Sequence, residues 1–195
     1  VSSQESFERV AQKRRTRQAL LVATRELLDE GKQPTVPEAA DRAGISRATA
    51  YRYFSTPMGM AEEAILDALA VEFEKLDLDR AYEKEDAVSR AVETVSAILR
   101  MVMSSERLFR TYLGLVVNPE SGVRRGARRV SWLTRALEPL AGTLAPDEFR
   151  RIVHGLALLT GMETIVVLRD VCGLEDADID ETARWLAARI VGQTR

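Results

Sequence analysis

Reactive residues are scarce in this chain of 195 residues, which holds one cysteine and one histidine. Cys172 alone cannot close an internal disulfide, and it suits a reducing compartment. His154 lies on an apolar stretch with no second metal-ligating partner, so it reads as a core or pocket residue rather than a ligand. Cys172 likewise reads as a buried structural cysteine. No glycine-rich phosphate loop, metal-ligand cluster or nucleophile elbow is present, so neither an enzyme, a cofactor nor a metal is expected. Asp176, Asp178 and Asp180 imitate the start of a calcium loop. Glu181 and Ala187 then stand where the turn glycine and the bidentate glutamate belong. Glycine and proline are also few, at 11 and 6, and long segments contain neither. That favours an all-α chain. No apolar run reaches the length of a membrane span, and the opening VSSQESFERV has no signal-peptide core. The expectation is a cytoplasmic protein with no membrane partner.

The residues that are present divide unevenly. Residues 1–56 hold ten basic and seven acidic side chains, a net +3, while the whole chain carries −2. The remainder is therefore −5. A basic head on an acidic body suits local contact with phosphates. Lys13, Arg14, Arg15 and Arg17 concentrate the positive charge, either toward phosphates or as a solvated helix face. Arg124, Arg125, Arg128 and Arg129 form a second basic cluster, read as a solvated face.

Residues 1–10 read as a mobile tail, followed by a first helix over 11–30 with Leu20, Thr24, Leu27 and Leu28 on one face. Thr35 and Glu38 fit a capping box for a second helix, with Pro37 in its first turn. Val36, Ala39, Ala40 and Ala43 make its buried stripe, Gly44 supplies the turn, and Ser46 caps a third helix ending near Tyr53 or Phe54. Two short helices about a glycine turn, with arginine, threonine and tyrosine on the outward side of the second, fit a helix-turn-helix. Six further helices are expected over about 57–78, 85–103, 106–117, 120–140, 146–171 and 179–191. The eighth, with Phe149, Ile152, Val153, Leu156, Leu158, Leu159, Met162, Ile165, Val166 and Leu168, is apolar nearly all round and must be covered on two sides.

Thr35, Ala39-Ala40, Ala43-Gly44-Ile45-Ser46, Thr49, Tyr51, Tyr53 and Phe54 resemble the TetR family of transcriptional regulators. The motif covers about residues 13–60; beyond it the resemblance rests on helix number and length. It implies a nine-helix, all-α fold: a three-helix DNA-binding head over 1–56 and a six-helix ligand-binding and dimerisation body over 57–195. It places Arg47, Ala48 and Thr49 where the family reads base edges. Tyr51, Arg52 and Tyr53 fall where it meets sugar and phosphate, and Thr35 where a helix N-terminus meets a phosphate. Ser46 completes the expected DNA-facing set. Arg47 has the chemistry to bond a guanine in bidentate fashion.

One departure concerns Pro57, which stands where the family carries a phosphate-binding lysine. Losing one such contact flattens the salt dependence by about one unit.

The resemblance further implies a ligand-responsive regulator, a repressor in the first reading. It would bind a palindromic operator in double-stranded DNA as a homodimer through its eighth and ninth helices. A small apolar effector would act through the fourth helix. Phe73, Met101, Phe109, Tyr112, Trp132 and Met162 are the candidate pocket residues, with core packing as the equally weighted alternative; Glu163, Arg110 and His154 are candidate polar partners for a ligand. The competing function is a helical small-molecule-binding or protein-interaction module without specific DNA binding.

Overall fold

With so few helix breakers, every regular element in the computed structural model is helical. It describes residues 2–118 and 127–193, and among these there is no strand. In chain order the helices are α1 (Ser2–Asp29), α2 (Val36–Ala43), α3 (Arg47–Tyr51), α4 (Pro57–Lys75) and α5 (Asp79–Tyr82). There follow α6 (Ala87–Ser104), α7 (Glu106–Val117), α8 (Arg128–Ala136), α9 (Pro146–Leu158), α10 (Met162–Ile165) and α11 (Asp176–Gly192). A 3₁₀ turn (Glu138–Leu140) follows α8, and a π-helical segment (Val166–Val171) continues α10. No single described helix is long and apolar enough to cross a membrane. The chain divides into two compact units, Val1–Val71 and Glu72–Arg195. The division falls within α4, downstream of the boundary at residue 56 expected from the sequence.

In the first unit, α1 begins at Ser2, not at residue 11. Nothing between residues 2 and 10 breaks a helix, so the expected tail is a helical extension. Phe7 and Val10 on it remain exposed. The core is built from Leu20, Leu21 and Leu27 of α1, Val36, Ala39 and Ala40 of α2, Ala50 and Phe54, and Met60 and Ala64 of α4. Four of these are alanines, whose small side chains let helix backbones approach closely. The buried positions of α4 are Met60, Ala64, Ile65, Ala68 and Leu69, at helical spacing. Leu66 and Val71 of the same helix are exposed. Ala64 and Ala68, which a search for large side chains overlooks, share the buried face with Met60, Ile65 and Leu69.

In the second unit α6 and α11 form the most extensive helix pair. Glu93, Ser96 and Arg100 lie on one face of α6 at i, i+3 and i+7; Asp180 and Arg184 lie one turn apart on α11. Arg184 donates to Glu93 at 2.6 Å. Ser96 Oγ donates to Asp180 at 2.6 Å, and Arg100 donates to it at 2.7 Å. Numbers rise along one helix as they fall along the other, so the pair is antiparallel. Asp180 thus anchors α11 to α6.

The eighth helix expected over 146–171 is broken. The chain turns by 56° between Pro146–Leu158 and Met162–Val171. Gly161 precedes α10 in an extended conformation. The Thr160 hydroxyl donates to Ala157 O at 3.1 Å, and the Thr164 hydroxyl to Leu158 O, which gives the open carbonyls of the last α9 turn a local partner. A Cβ at residue 161 would collide with the Glu163 carboxylate and the Arg129 guanidinium. A side chain there would displace the ends of those two flexible side chains.

His154 and Cys172 are both exposed, contrary to their reading as buried. His154 points away from the stripe of Ile152, Val153 and Leu156 that α9 buries. The start of the helix expected over 120–140, with Arg124 and Arg125, lies outside the described residues.

Candidate nucleic-acid interface

Local chemistry fixes the two short helices of the first unit. The Thr35 hydroxyl accepts from the Glu38 backbone N–H at 3.4 Å, and the Thr35 N–H donates to the Glu38 carboxylate at 2.8 Å. This closes the capping box, with Pro37 in the first turn where its missing N–H costs nothing. The bonds from Thr35 hold the Glu38 carboxyl below its usual range. At the other end of α2, Gly44 sits at φ +66, the left-handed conformation that ends helices. The Ile45 N–H then reaches back to Ala40 O at 2.9 Å. Ser46 caps α3: its hydroxyl accepts from the Thr49 N–H at 3.2 Å and donates to Thr49 Oγ1 at 2.8 Å. The hydroxyls of Thr35 and Ser46 are therefore both engaged within the unit.

Outward from this frame, Arg47, Ala48, Tyr51 and Arg52 are exposed, and Thr49 and Tyr53 are half-buried. Tyr53 packs against the core, while Ala50 and Phe54 are inside it. Arg47 and Tyr51 stand one turn apart on α3. The solvent side of α3 and its C-cap thus presents one guanidinium, a methyl group, one phenol and a second guanidinium in succession.

Several of the unit's cations are already paired. Arg42 of α2 donates to Glu30 at 2.8 Å and to Glu26 at 3.4 Å, both on or just beyond α1. With Lys32 on its other side, Glu30 is held down to about 2. Arg17 bonds Glu63 of α4 through two nitrogens and lies 5.5 Å over the Phe54 ring. Gln18 donates to Asp67 beside it at 2.9 Å. Arg17 is thus a strut between α1 and α4, not a member of a free basic run. Lys13, Arg14, Arg15 and Arg52 are exposed and form no ion pair among the described residues. With Arg9, also exposed, they are cations available to an anionic partner.

The sequence reading missed the pairing of Arg47. Its Nε donates to Asp41 Oδ1 at 3.2 Å and its Nη2 to Asp41 Oδ2 at 2.7 Å. The guanidinium holds the Asp41 carboxyl below its usual range. Asp41 and Arg47 each lie three residues from Gly44, so the turn folds one back onto the other. That symmetric spacing about the glycine was the available signal.

Of the candidate pocket residues in the second unit, Phe73, Phe109 and Trp132 come together. Phe73 meets Phe109 edge-on at 6.2 Å and Trp132 edge-on at 5.7 Å. The Arg128 guanidinium lies 4.8 Å from the Phe73 centroid, so this member of the second basic cluster covers an aromatic face. Met101 and Met162 are buried, and Tyr112 is half-buried. Of the candidate polar partners, Arg110 donates two bonds of 2.7 Å to Asp170 and a third, also of 2.7 Å, to Glu106. It belongs to an ion network between α7 and the π-helical segment that also includes Arg169. Glu163 lies 3.8 Å from Arg129. Compared with protein families, with curated proteins and with solved structures, the chain matches none of them.

Proposed function

We propose that the protein is a DNA-binding transcriptional regulator of TetR-like design, a homodimer whose body responds to a small apolar molecule. The observation that carries the reading is the first unit's pair of capped helices about a left-handed glycine. The second of them exposes Arg47, Tyr51 and Arg52 while burying Ala50. A helix presented in this way fits a major groove, its first residues at base edges. Lys13, Arg14, Arg15 and Arg52 supply charge for phosphates.

Dimerisation through the C-terminal helices is supported by large apolar side chains left in solvent. Leu158 and Val171 are 77% exposed, Trp185 58% and Val167 52%. Such residues on α9, the π-helical segment and α11 support a partner surface in that part of the unit. Two copies of the head would then meet two half-sites of a palindromic operator about one DNA turn apart. The Phe73–Phe109–Trp132 group is the natural wall of an effector pocket. Effector and operator, if each prefers a different state, must weaken each other's binding by the same factor. Repression is the sense assigned here.

The second reading, a helical ligand-binding or interaction module without specific DNA binding, has two observations in its favour. Pro57 replaces a phosphate-binding lysine, and an acidic side chain occupies Arg47. Selection of bound duplexes from a random pool separates the two. The regulator reading predicts a palindromic consensus, lost in both Arg47→Ala and Tyr51→Ala. Absence of enrichment at low salt favours the second reading.

A further inference from the structure

Resting on the assignment of α3 as the base-reading helix, we propose that Asp41 is a positioning residue for base recognition. It grips the Arg47 guanidinium along its side and presents the end of the group to a guanine.

A guanidinium carries five N–H donors in one plane, and four of them form two parallel pairs. One pair, Nε–H and an Nη2–H, lies along the side of the group. The other, Nη1–H and the second Nη2–H, lies at its end. Asp41 takes the side pair, through Nε at 3.2 Å and Nη2 at 2.7 Å. The end pair is left, and its spacing matches O6 and N7 of guanine in the major groove. The backbone that carries Asp41 is itself held in place. It sits in the last turn of a helix fixed by a capping box at one end and by the Gly44 turn at the other. Arg47 is a long side chain whose freedom must otherwise be lost when it binds. The pair restricts that freedom before any DNA arrives.

An exposed carboxylate on a surface meant for phosphates opposes binding of every sequence alike. The positioning role therefore carries a double signature. Removing the charge of Asp41 lowers discrimination at one base while leaving non-specific affinity unchanged or tighter. An incidental surface pair gives only the second effect. The pair is well exposed, with side-chain accessibilities of 64% for Arg47 and 55% for Asp41, so its loss leaves the fold intact.

The test uses the full-length protein and the duplex that it enriches from a random pool, together with every single-base variant of one half-site. Affinities are measured by fluorescence anisotropy at one salt concentration for wild type, Asp41→Asn, Arg47→Ala and the double variant. A bidentate contact supplies roughly 5- to 150-fold preference for guanine. Asp41→Asn is expected to lower that preference on the order of tenfold, at the same base pair where Arg47→Ala abolishes it. The double variant should match Arg47→Ala, and binding of unrelated duplex by Asp41→Asn should not weaken. Full guanine preference in Asp41→Asn overturns the inference, as does an equal loss on all bases, or a guanine preference that survives Arg47→Ala. A wild-type protein that enriches no sequence contradicts the regulator reading, and the inference falls with it.

Discussion

Gly44 shows how much can hang on one residue. Its φ of +66 lies where a side chain strains against the backbone, although no neighbour would touch an added Cβ. The cost of Gly44→Ala is therefore conformational, about 1–2 kcal/mol. It should appear as a lower midpoint in urea denaturation, with the α2–α3 angle and any DNA affinity disturbed as well. An unchanged midpoint would mean that the turn tolerates alanine. Signals of this kind were legible because they are local: Thr35 with Glu38, Pro37, Gly44 and Ser46 act within a few positions of one another. The Asp41–Arg47 pair is nearly as local, yet it depends on the turn having folded, and the sequence shows it only as equal spacing about Gly44. The exposure of His154 and Cys172 was not legible at all, since apolar neighbours in sequence do not say which way a side chain faces.

Helices α6 and α11 illustrate what an element-level reading can and cannot reach. The period of 3.6 placed both helices nearly correctly, but it could not pair them. The pairing is visible only in the match of Glu93, Ser96 and Arg100 with Asp180 and Arg184. Beneath those polar contacts the helices are densely filled; Ile98, Leu99 and Ile179 are fully buried. Ile98→Ala should lower unfolding free energy by about 2–5 kcal/mol, measured by urea denaturation. A loss below about 1 kcal/mol would show that this helix pair is not the core of its unit. The break between α9 and α10 was missed for a related reason. The apolar run from Phe149 to Leu168 reads as one helix, and only the hydroxyls of Thr160 and Thr164 with Gly161 turn it. The alanines on the buried face of α4, Ala64 and Ala68, escaped because they are small.

At the scale of the whole molecule, acidic groups in both units are stabilised in their charged form. Arg42 holds Glu30 at about 2, against an ordinary value of 4.5. Bonds from Thr35, Arg47, Ser89, Arg184 and Arg110 lower Glu38, Asp41, Asp86, Glu93 and Asp170 respectively. Between the folded and ordinary values the unfolded chain binds more protons than the folded one, so stability rises with pH there. The contribution is complete above about 4.5 and lost as pH falls toward about 2. Thermal midpoints should therefore drop over that window. Because these groups are largely exposed, the drop should shrink as salt is added. A midpoint constant from pH 5 to pH 2 would contradict these ion pairs.

A smaller N-terminal unit before a larger one was legible in the sequence, but the charge contrast read over residues 1–56 does not extend to the unit Val1–Val71, because Glu62, Glu63 and Asp67 balance its ten basic residues. The central claim is that the first unit reads DNA sequence and that two copies do so together. It is tested most directly by titrating the protein against its selected palindromic duplex and against a scrambled duplex of the same composition at one salt concentration. The account predicts binding at least about a thousandfold tighter to the palindrome, with two protomers bound per duplex. Equal affinity for both duplexes would contradict it.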